Sequence, residues 1–406
     1  MARLGPFEPR PALAIAVSGG ADSLALALLA RDWAAARGGA VLALLVDHGL
    51  RAESAAEAAL TRARLEGQGI ASRVIALECL MRGPGLAARA RAARYAVLAD
   101  ACEAAGIVHL LLGHHAADQA ETLRMRQRAG SGPLGLAAMA ALTEGHQVRL
   151  LRPLLAVPPG RLRAMLRARG LAWVEDPSNQ DQATLRARLR VEFADPEGDG
   201  EEIAALVAEA RHHGAARSVA EAQLAAELAR HVRLHQAGWA VISAGTLSAA
   251  PLSALLRTVA GRVYPAPRAA VAALAAQPRA ATLAGVRILP AGRAGRPGDW
   301  LLVREAAAMA PPVAARPGAV WDGRFRLGGD PPPDATLGAL GPEAAALRRL
   351  RPDWPAALLA TLPALRRDGR LVAVPPLLFP DAASCARFPV AFAPALPLSG
   401  AAFLEM

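Results

Sequence analysis

A chain of 406 residues, 53% of them hydrophobic, is long enough for two or three domains and too apolar to be globally disordered. No apolar run of eighteen residues is free of charge, and the first ten residues lack the pattern of a signal peptide. We therefore expect a cytoplasmic protein without a membrane span. The formal charge of +11 favours a polyanionic partner, although all basic residues are arginine, which is also typical of a GC-rich genome.

Cysteine and lysine usage excludes several kinds of site. Cys79, Cys102 and Cys385 are far apart and form no C-x-x-C pair, so neither a disulfide framework nor a zinc site is indicated. The absence of lysine excludes the phosphate-binding loop that ends in Gly-Lys-Ser/Thr. No protein partner is evident.

Short apolar runs alternate with helical patterns along the first half of the chain. Strands are predicted at 13–17, 41–46, 72–77 and 107–112, and helices at 24–37, 53–66, 86–105 and 117–128. This alternation predicts the α/β class: a doubly wound, Rossmann-like parallel sheet with helices on both faces. Ligands of such sheets bind beyond the carboxyl ends of the strands.

The pattern changes after the first 194 residues. Acidic and turn-forming residues at 195–200 suggest a linker, and 203–234 is predicted to be helical. The segment 257–304 holds eight arginines and one acidic residue, Asp299, and proline-rich breaks follow at 311–317 and 331–333. We predict a first domain over 1–194, a helical and basic region over 195–310, and a smaller C-terminal region over 320–406.

A glycine-rich loop follows the first predicted strand, with the sequence Ser18, Gly19, Gly20, Ala21, Asp22, Ser23. A strand that leads through glycines into a helix gathers backbone N–H groups around a phosphate. The two serine hydroxyls add donors, and Asp22 is suited to hold a Mg²⁺ ion that bridges phosphate oxygens. The alternative is a plain strand–helix turn with Ser18 as the helix cap.

A polar stretch follows the fourth predicted strand. His114 ends that strand, and the spacing of His114, Asp118 and Glu121 (i, i+4, i+7) predicts one shared helix face at the mouth of a ligand site. Two carboxylates at that place suit a cationic substrate. The alternative is that Asp118 and Glu121 only complement the helix dipole.

Further candidates lie at the second strand and the third helix. Asp47 ends the second strand, where it would bond adenosine or help to position the metal; the alternative is a helix cap. Arg91 and Arg94 lie one helical turn apart, and either would bind a phosphate with two hydrogen bonds unless they form a solvated arginine face. His48 and His115 are interpreted as structural.

Taken in order, these motifs resemble those of the tRNA(Ile)-lysidine synthetase family, which belongs to the PP-loop ATP pyrophosphatases. The similarity extends over about 12–190 and includes the stretches 18–23, 46–51, 89–95, 112–122, 130–136, 152–155 and 175–179. Two positions depart from patterns frequent in that family: Ala117, where Asp is common, and Ala187, where Asn is common in an R-N-x-x-R run.

The resemblance implies that the chain uses ATP and Mg²⁺ to adenylate the wobble cytidine of an isoleucine tRNA with the anticodon CAU. L-lysine then displaces AMP, after pyrophosphate has left. It implies catalytic roles for Asp22, His114, Asp118, Glu121 and Arg94, ATP binding by 18–23 and Asp47, and Mg²⁺ binding by Asp22. The regions 195–310 and 320–406 are then expected to contact tRNA.

Two other functions compete with this interpretation. One is a different PP-loop enzyme that modifies tRNA bases, such as a thiolase, although such enzymes use cysteine pairs and no C-x-x-C is present. The other is a non-catalytic protein that only binds adenine nucleotides, against which the complete loop and the His114–Glu121 stretch argue.

Overall fold

The structure, a computed structural model, describes residues 1–47, 54–77, 85–174, 185–245, 247–400 and 403–404. The chain divides into two units, one formed by 1–220 with 401–406 and the other by 221–400. The division falls inside a 31-residue helix, α8 (Glu201–His231). The three predicted domains stay predictions. The motif at 175–179 and the last four residues of the motif at 46–51 lie outside the described residues. None of the helices described is long and apolar enough to cross a membrane.

A six-stranded sheet forms the centre of the first unit and confirms the predicted α/β class. Its strands are β1 (Ala12–Val17), β2 (Ala40–Asp47), β3 (Ala71–Ala76), β4 (His109–Leu111), β5 (Leu142–Glu144) and β6 (Arg149–Leu151). The helices of this unit before α8 are α1 (Ala21–Ala35), α2 (Ser54–Gly67), α3 (Leu86–Ala104), α4 (Ala116–Arg128), α5 (Pro133–Leu136), α6 (Pro159–Ala168) and α7 (Leu185–Phe193).

The sheet is doubly wound. Its strand order is β3-β2-β1-β4-β6-β5, and every neighbouring pair is parallel except β5 with β6. The chain runs outward from β1 to β3 in one direction and from β4 to β6 in the other. The winding direction therefore reverses between β1 and β4, which is where sheets of this kind form a crevice for ligands.

Alternation along β1 explains the two covered faces. Leu13, Ile15 and Val17 pack into the core that contains α1 and α6, whereas Ala14 and Ala16 pack against α3 on the opposite face. A strand buried on both sides reads as a continuous apolar run, which is why the sequence identified it.

The second unit contains a five-stranded antiparallel sheet, for which the sequence analysis identified no strands. Its order is β7-β8-β11-β10-β9, and α9 and α10 pack on one face. The elements are β7 (Val232–His235), β8 (Trp239–Ile242), α9 (Ala249–Ala260), α10 (Arg268–Ala276), β9 (Ala281–Leu283), β10 (Val286–Pro290) and β11 (Trp300–Arg304).

Two small sheets complete this unit, in the orders β12-β15-β16-β17 and β13-β14-β18. Their strands are β12 (Val313–Ala314), β13 (Val320–Trp321), β14 (Phe325–Leu327), β15 (Thr336–Ala339), β16 (Pro363–Arg367), β17 (Arg370–Ala373) and β18 (Val390–Phe392). Three short helices lie among them, α11 (Ala344–Leu347), α12 (Ala356–Leu359) and α13 (Ala382–Ala386).

The eight arginines of 257–304 do not all face solvent. Arg304 is buried, and its guanidinium binds both carboxylate oxygens of Asp322 at 3.0 Å. Arg257 is partly buried and donates to the carbonyl oxygen of Pro397. The remaining six are exposed: Arg262, Arg268, Arg279, Arg287, Arg293 and Arg296. Only these six are available to a polyanion from this segment.

Candidate active site

The loop 18–23 connects the carboxyl end of β1 to the start of α1, at the point where the winding of the sheet reverses. Gly19 has φ +90°, and a Cβ atom there would lie 2.7 Å from the Thr61 hydroxyl oxygen on α2. Because L side chains avoid positive φ, glycine is required for this conformation. The carbonyl oxygen of Gly19 also accepts a hydrogen bond from the Val174 amide, 3.0 Å away.

The start of α1 is left open for a ligand. Gly20 occupies the N-cap position, and no side chain caps the helix. The Ser23 hydroxyl bonds within the loop, donating to the Gly20 carbonyl oxygen (3.1 Å) and accepting from the Ser18 amide (3.2 Å). The first N–H groups of a helix have no partner inside the helix, so these amides are suited to bind phosphate.

Gly113 brings the end of β4 against this loop. A Cβ atom at Gly113 would lie 3.2 Å from both N and Cα of Ser23 and 3.3 Å from the carbonyl carbon of Asp22. A larger residue would therefore push the β4 end away from the loop, since these contacts are with backbone atoms. The absence of a side chain places His114 beside the loop.

A first cavity of about 460 Å³ opens at this junction. It lies in the size range of pockets for small ligands and cofactors. Seven of the candidate residues from the sequence line it: Ser18, Gly20, Asp22, Ser23, Arg91, Arg94 and His114.

The far wall of this first cavity is basic and aromatic. Arg94 on α3 faces the cavity, and no ion pair or hydrogen bond joins it to any described residue. Burial lowers the pKa of Arg94, but an arginine remains charged at neutral pH. Arg91 lies beside it and donates to the Tyr95 hydroxyl (3.2 Å). An unpaired guanidinium facing the loop amides would bind a phosphate group.

His114 is neutral in this cavity. Burial lowers its pKa to about 4, against the opposing charge of Asp118. Its Nδ1 atom is buried and has no hydrogen-bond partner. Such an atom is costly unless a ligand or water satisfies it, which makes His114 a candidate for direct contact with a substrate.

A second cavity, of about 580 Å³, shares Gly20, Asp22 and Val174 with the first. Asp118 and Glu121 line it from α4, and Arg190 lines it from α7. Arg190 Nε lies 2.7 Å from Glu121 Oε1, and Arg190 Nη2 lies 3.6 Å from Asp118 Oδ1. The two predicted carboxylates are therefore together, and a cation already accompanies them.

The two carboxylates differ in their proton affinity. Burial raises the pKa of Glu121, and Arg190 only partly opposes this shift. Burial acts in the same direction on Asp118, but the charge of His115, the hydrogen bond from the His115 amide and the charge of Arg190 outweigh it and hold the pKa of Asp118 below its usual range. At neutral pH Asp118 is thus the more firmly ionised of the two.

His115 lines the second cavity and contacts Asp22, which lines both cavities. It is the N-cap of α4: its Nδ1 accepts from the Asp118 amide at 3.4 Å, while its own amide donates to Asp118 Oδ2 at 3.1 Å. Its Nε2 lies 3.5 Å from Asp22 Oδ2 and 3.5 Å from Asp118 Oδ2. Burial lowers its pKa, but the carboxylates of Asp118 and Asp22 outweigh this effect, so the pKa lies above its ordinary value.

One geometric prediction was wrong. Asp118 and Glu121 share a face of α4 as predicted, but His114 does not, because the helix begins at Ala116 and His114 precedes its cap. His114 lies in the first cavity, whereas the two carboxylates and His115 line the second. Their catalytic roles stay predictions.

The predicted residue Asp47 lines neither cavity, and three residues that were not predicted as site residues line the second one. Asp47 ends β2 but is not among the described residues that line either cavity, so its nucleotide contact stays a prediction. The second cavity also includes Arg190, Trp173 and His115. The sequence offered a signal only for Arg190, within the arginine-rich run 186–190.

Comparison with known proteins shows the family to which this fold and loop belong. Residues 3–196 match the family described as the PP-loop domain. A tRNA(Ile)-lysidine synthase from Ruegeria pomeroyi is 37% identical over 404 aligned residues, which cover 91% of this chain and 89% of the relative. One from Brucella suis is 38% identical and covers 77% of this chain and 73% of the relative.

Two other comparisons are more limited. A tRNA(Ile)-lysidine synthase from a Bradyrhizobium species is 42% identical over 52% of this chain, and this chain spans only 60% of that relative. The solved U34-tRNA thiolase NcsA from Methanococcus maripaludis, with its [4Fe-4S] cluster, matches with a TM-score of 0.43 and 16% identity, covering 52% of this chain and 75% of that one. The thiolase match is too distant to carry an inference. The PP-loop match and the near full-length similarity to the Ruegeria protein agree with the loop and the two cavities: this chain belongs to the tRNA(Ile)-lysidine synthase family.

Proposed function

We propose that this chain joins L-lysine to the wobble cytidine of a tRNA(Ile) with the anticodon CAU, using ATP and releasing AMP and pyrophosphate. The observation that carries the proposal is the pair of cavities that meet at Asp22. One has donors for phosphate and the other has groups of both charges, as a nucleotide and an amino acid would need.

ATP would occupy the first cavity. The open amides at the start of α1 would hold its phosphates, and Arg94 would neutralise charge that develops on the α-phosphate. The 2-carbonyl oxygen of the cytosine attacks the α-phosphorus, and the bond to pyrophosphate breaks. The protein contributes mainly by positioning and by charge stabilisation, as is usual for phosphoryl and nucleotidyl transfer.

Mg²⁺ fits this site as a partner of ATP. The described residues contain no cluster of three or more His, Cys, Asp or Glu side chains that would hold a metal alone. Mg²⁺ typically keeps several waters and binds one or two carboxylates together with substrate phosphates. Asp22 lies at the phosphate loop, with 36% of its side chain exposed, and would supply that carboxylate. The ion would neutralise the leaving pyrophosphate.

Lysine would occupy the second cavity as a zwitterion. Its α-carboxylate would pair with Arg190 and its α-ammonium with Asp118, while Trp173 would cover the aliphatic chain. The neutral ε-amine then attacks C2 of the adenylated cytosine, the C2–O bond breaks and AMP leaves. The amine proton passes to a neighbouring base, which we leave unassigned.

The tRNA body needs a surface outside these cavities, because the reacting base must be turned out of the anticodon stack. The exposed arginines of the second unit would supply this surface. Between 248 and 298 the sequence has seven arginines and no acidic residue. Tyr264 lies between two of them, Arg262 and Arg268, and is 81% exposed, which suits stacking on an unpaired base.

The described cysteines do not favour a thiolase. Cys102 and Cys385 are free and buried, and burial raises the pKa of Cys102 to about 11. Sulfur transfer needs a thiolate that substrates can reach. Cys79 lies outside the described residues.

The test is pyrophosphate release from ATP with purified tRNA(Ile) bearing CAU, with and without lysine. We expect release that depends on this tRNA and incorporation of labelled lysine into it. The methionine tRNA with the same anticodon is the matched RNA control, and Asp22→Ala is the protein control. Equal release with any tRNA would refute the proposal. ATP binding without any release would instead support a non-catalytic nucleotide-binding protein.

A further inference from the structure

His115 has two sets of contacts that serve different purposes. Its Nδ1 and its backbone amide form the capping box at the start of α4, which a structural residue would also do. Its Nε2 faces two carboxylates on different helices, Asp22 of α1 and Asp118 of α4, at 3.5 Å each. The cap uses only Nδ1, so the contacts of Nε2 with the two carboxylates are additional to it.

The cap also determines which nitrogen carries the proton. Because Nδ1 accepts a hydrogen bond from the Asp118 amide, the neutral ring carries its proton on Nε2. That proton faces Asp22 and Asp118. The His115 side chain is only 10% exposed, and the backbone of its neighbour Ala116 is fixed by a hydrogen bond to the Val157 carbonyl oxygen (3.0 Å), so the imidazole has little freedom to move away.

We propose that His115 is a positioning residue that couples the two substrate cavities. It orients Asp22 toward the phosphate loop and Asp118 toward the amino-acid cavity through the same Nε2–H group. When Asp22 turns toward Mg²⁺ and ATP, the Nε2–H group is left to Asp118 alone. This holds Asp118 in the orientation that binds the lysine ammonium, so binding of nucleotide strengthens binding of lysine. This inference rests on the proposed function.

Two substitutions separate the coupling from the cap. His115→Asn keeps an acceptor at the place of Nδ1, and Asn is among the best N-cap residues, but it has no group at the place of Nε2. His115→Gln places an amide donor near the position of Nε2 and removes the cap acceptor. His212→Asn, at an exposed position of α8, controls for the loss of a histidine.

The experiment is calorimetric titration of the full chain with L-lysine, with tRNA(Ile) present, with and without Mg²⁺ and α,β-methylene-ATP. We expect the analogue to tighten lysine binding by about fivefold or more in the unsubstituted protein and in His212→Asn, a typical size for coupled sites. His115→Asn should bind both ligands with a ratio near 1 and melt normally, whereas His115→Gln should keep part of the coupling and melt at lower temperature.

The other outcomes distinguish a failure of the proposed role of His115 from a failure of the proposed function. Coupling retained in His115→Asn, or lysine binding without any coupling in the unsubstituted protein, would overturn the positioning role and leave the proposed function intact. Absence of lysine binding in the unsubstituted protein, with the ATP analogue still bound, would overturn the proposed function and this inference with it.

Discussion

Removing Arg190 should destabilise the protein because it leaves a buried carboxylate without its partner. The Glu121 side chain is 1% exposed, and its Oε1 lies 2.7 Å from Arg190 Nε. Its other oxygen is buried without a hydrogen bond, and the nearest additional cation, Arg186, is 4.0 Å away. Arg190→Met keeps most of the apolar length of the side chain and removes only the charge and the donors.

The magnitude follows from the burial of the two partners. Removing one partner of a fully buried ion pair costs about 3–5 kcal/mol. The Arg190 side chain is 42% exposed and Arg186 remains nearby, so we expect a loss of about 2–3 kcal/mol at pH 8. Arg128→Met is the matched control, because Arg128 of α4 also pairs across the two helices, with Glu192 of α7, and that pair is 45% exposed on both sides and should contribute less than about 1 kcal/mol.

The loss should depend on pH. Burial already raises the pKa of Glu121, and removing Arg190 raises it further. A carboxyl whose pKa is higher in the folded state binds its proton more tightly there. Its cost to the stability of the fold is therefore absent at a pH below the unfolded-state pKa and develops as the pH rises through the folded-state pKa. The cost of Arg190→Met should therefore be largest at pH 8 and shrink toward pH 5.

Hydrogen exchange of α4 amides, corrected for intrinsic exchange rates, measures this opening free energy locally, so the two-unit chain need not unfold in one step. Adding Glu121→Gln to Arg190→Met should recover more than half of the loss, since the neutral amide needs no counter-ion. An equal loss at both pH values, or no recovery in the double variant, would refute the reasoning.

Three further substitutions test the phosphate loop, the first cavity and the RNA surface. Gly19→Ala should weaken binding of Mg·ATP far more than Gly20→Ala, because only the former combines φ +90° with a Cβ 2.7 Å from the Thr61 hydroxyl; equal Kd values would contradict this. Arg94→Met should lower the rate of pyrophosphate release about 100-fold with little change in tRNA Kd, as for loss of one transition-state donor; an unchanged rate would exclude a role at the α-phosphate. Tyr264→Ala should weaken tRNA binding about tenfold, the effect of one stacked base, and leave lysine Kd unchanged; unaltered tRNA binding would show that this loop does not contact RNA.

Local patterns were sufficient to predict the first unit's main elements. The four strands predicted between 13 and 112 correspond to β1–β4. The clearest of them, β1, is covered on both faces and is therefore a continuous apolar run, whereas β3 lies at the edge of the sheet and is mostly exposed. The strands of the five-stranded sheet in the second unit were missed for the opposite reason. Runs such as Trp239–Ile242 are only four residues long and fully buried, so they show neither alternation nor enough length to separate strand from helix.

The sequence by itself therefore determined the α/β class, the phosphate loop and the pairing of Asp118 with Glu121, because each depends on spacing within one element. Only the tertiary structure decided which other side chains each of these side chains contacts. Helix α4 begins two residues later than the spacing argument needed, which places His114 in a different cavity from Asp118 and puts His115 between Asp22 and Asp118. Arg190 binds Glu121 although the two residues are 69 positions apart in the sequence. Such a contact is created by the packing of two helices, so a local sequence pattern could not predict it.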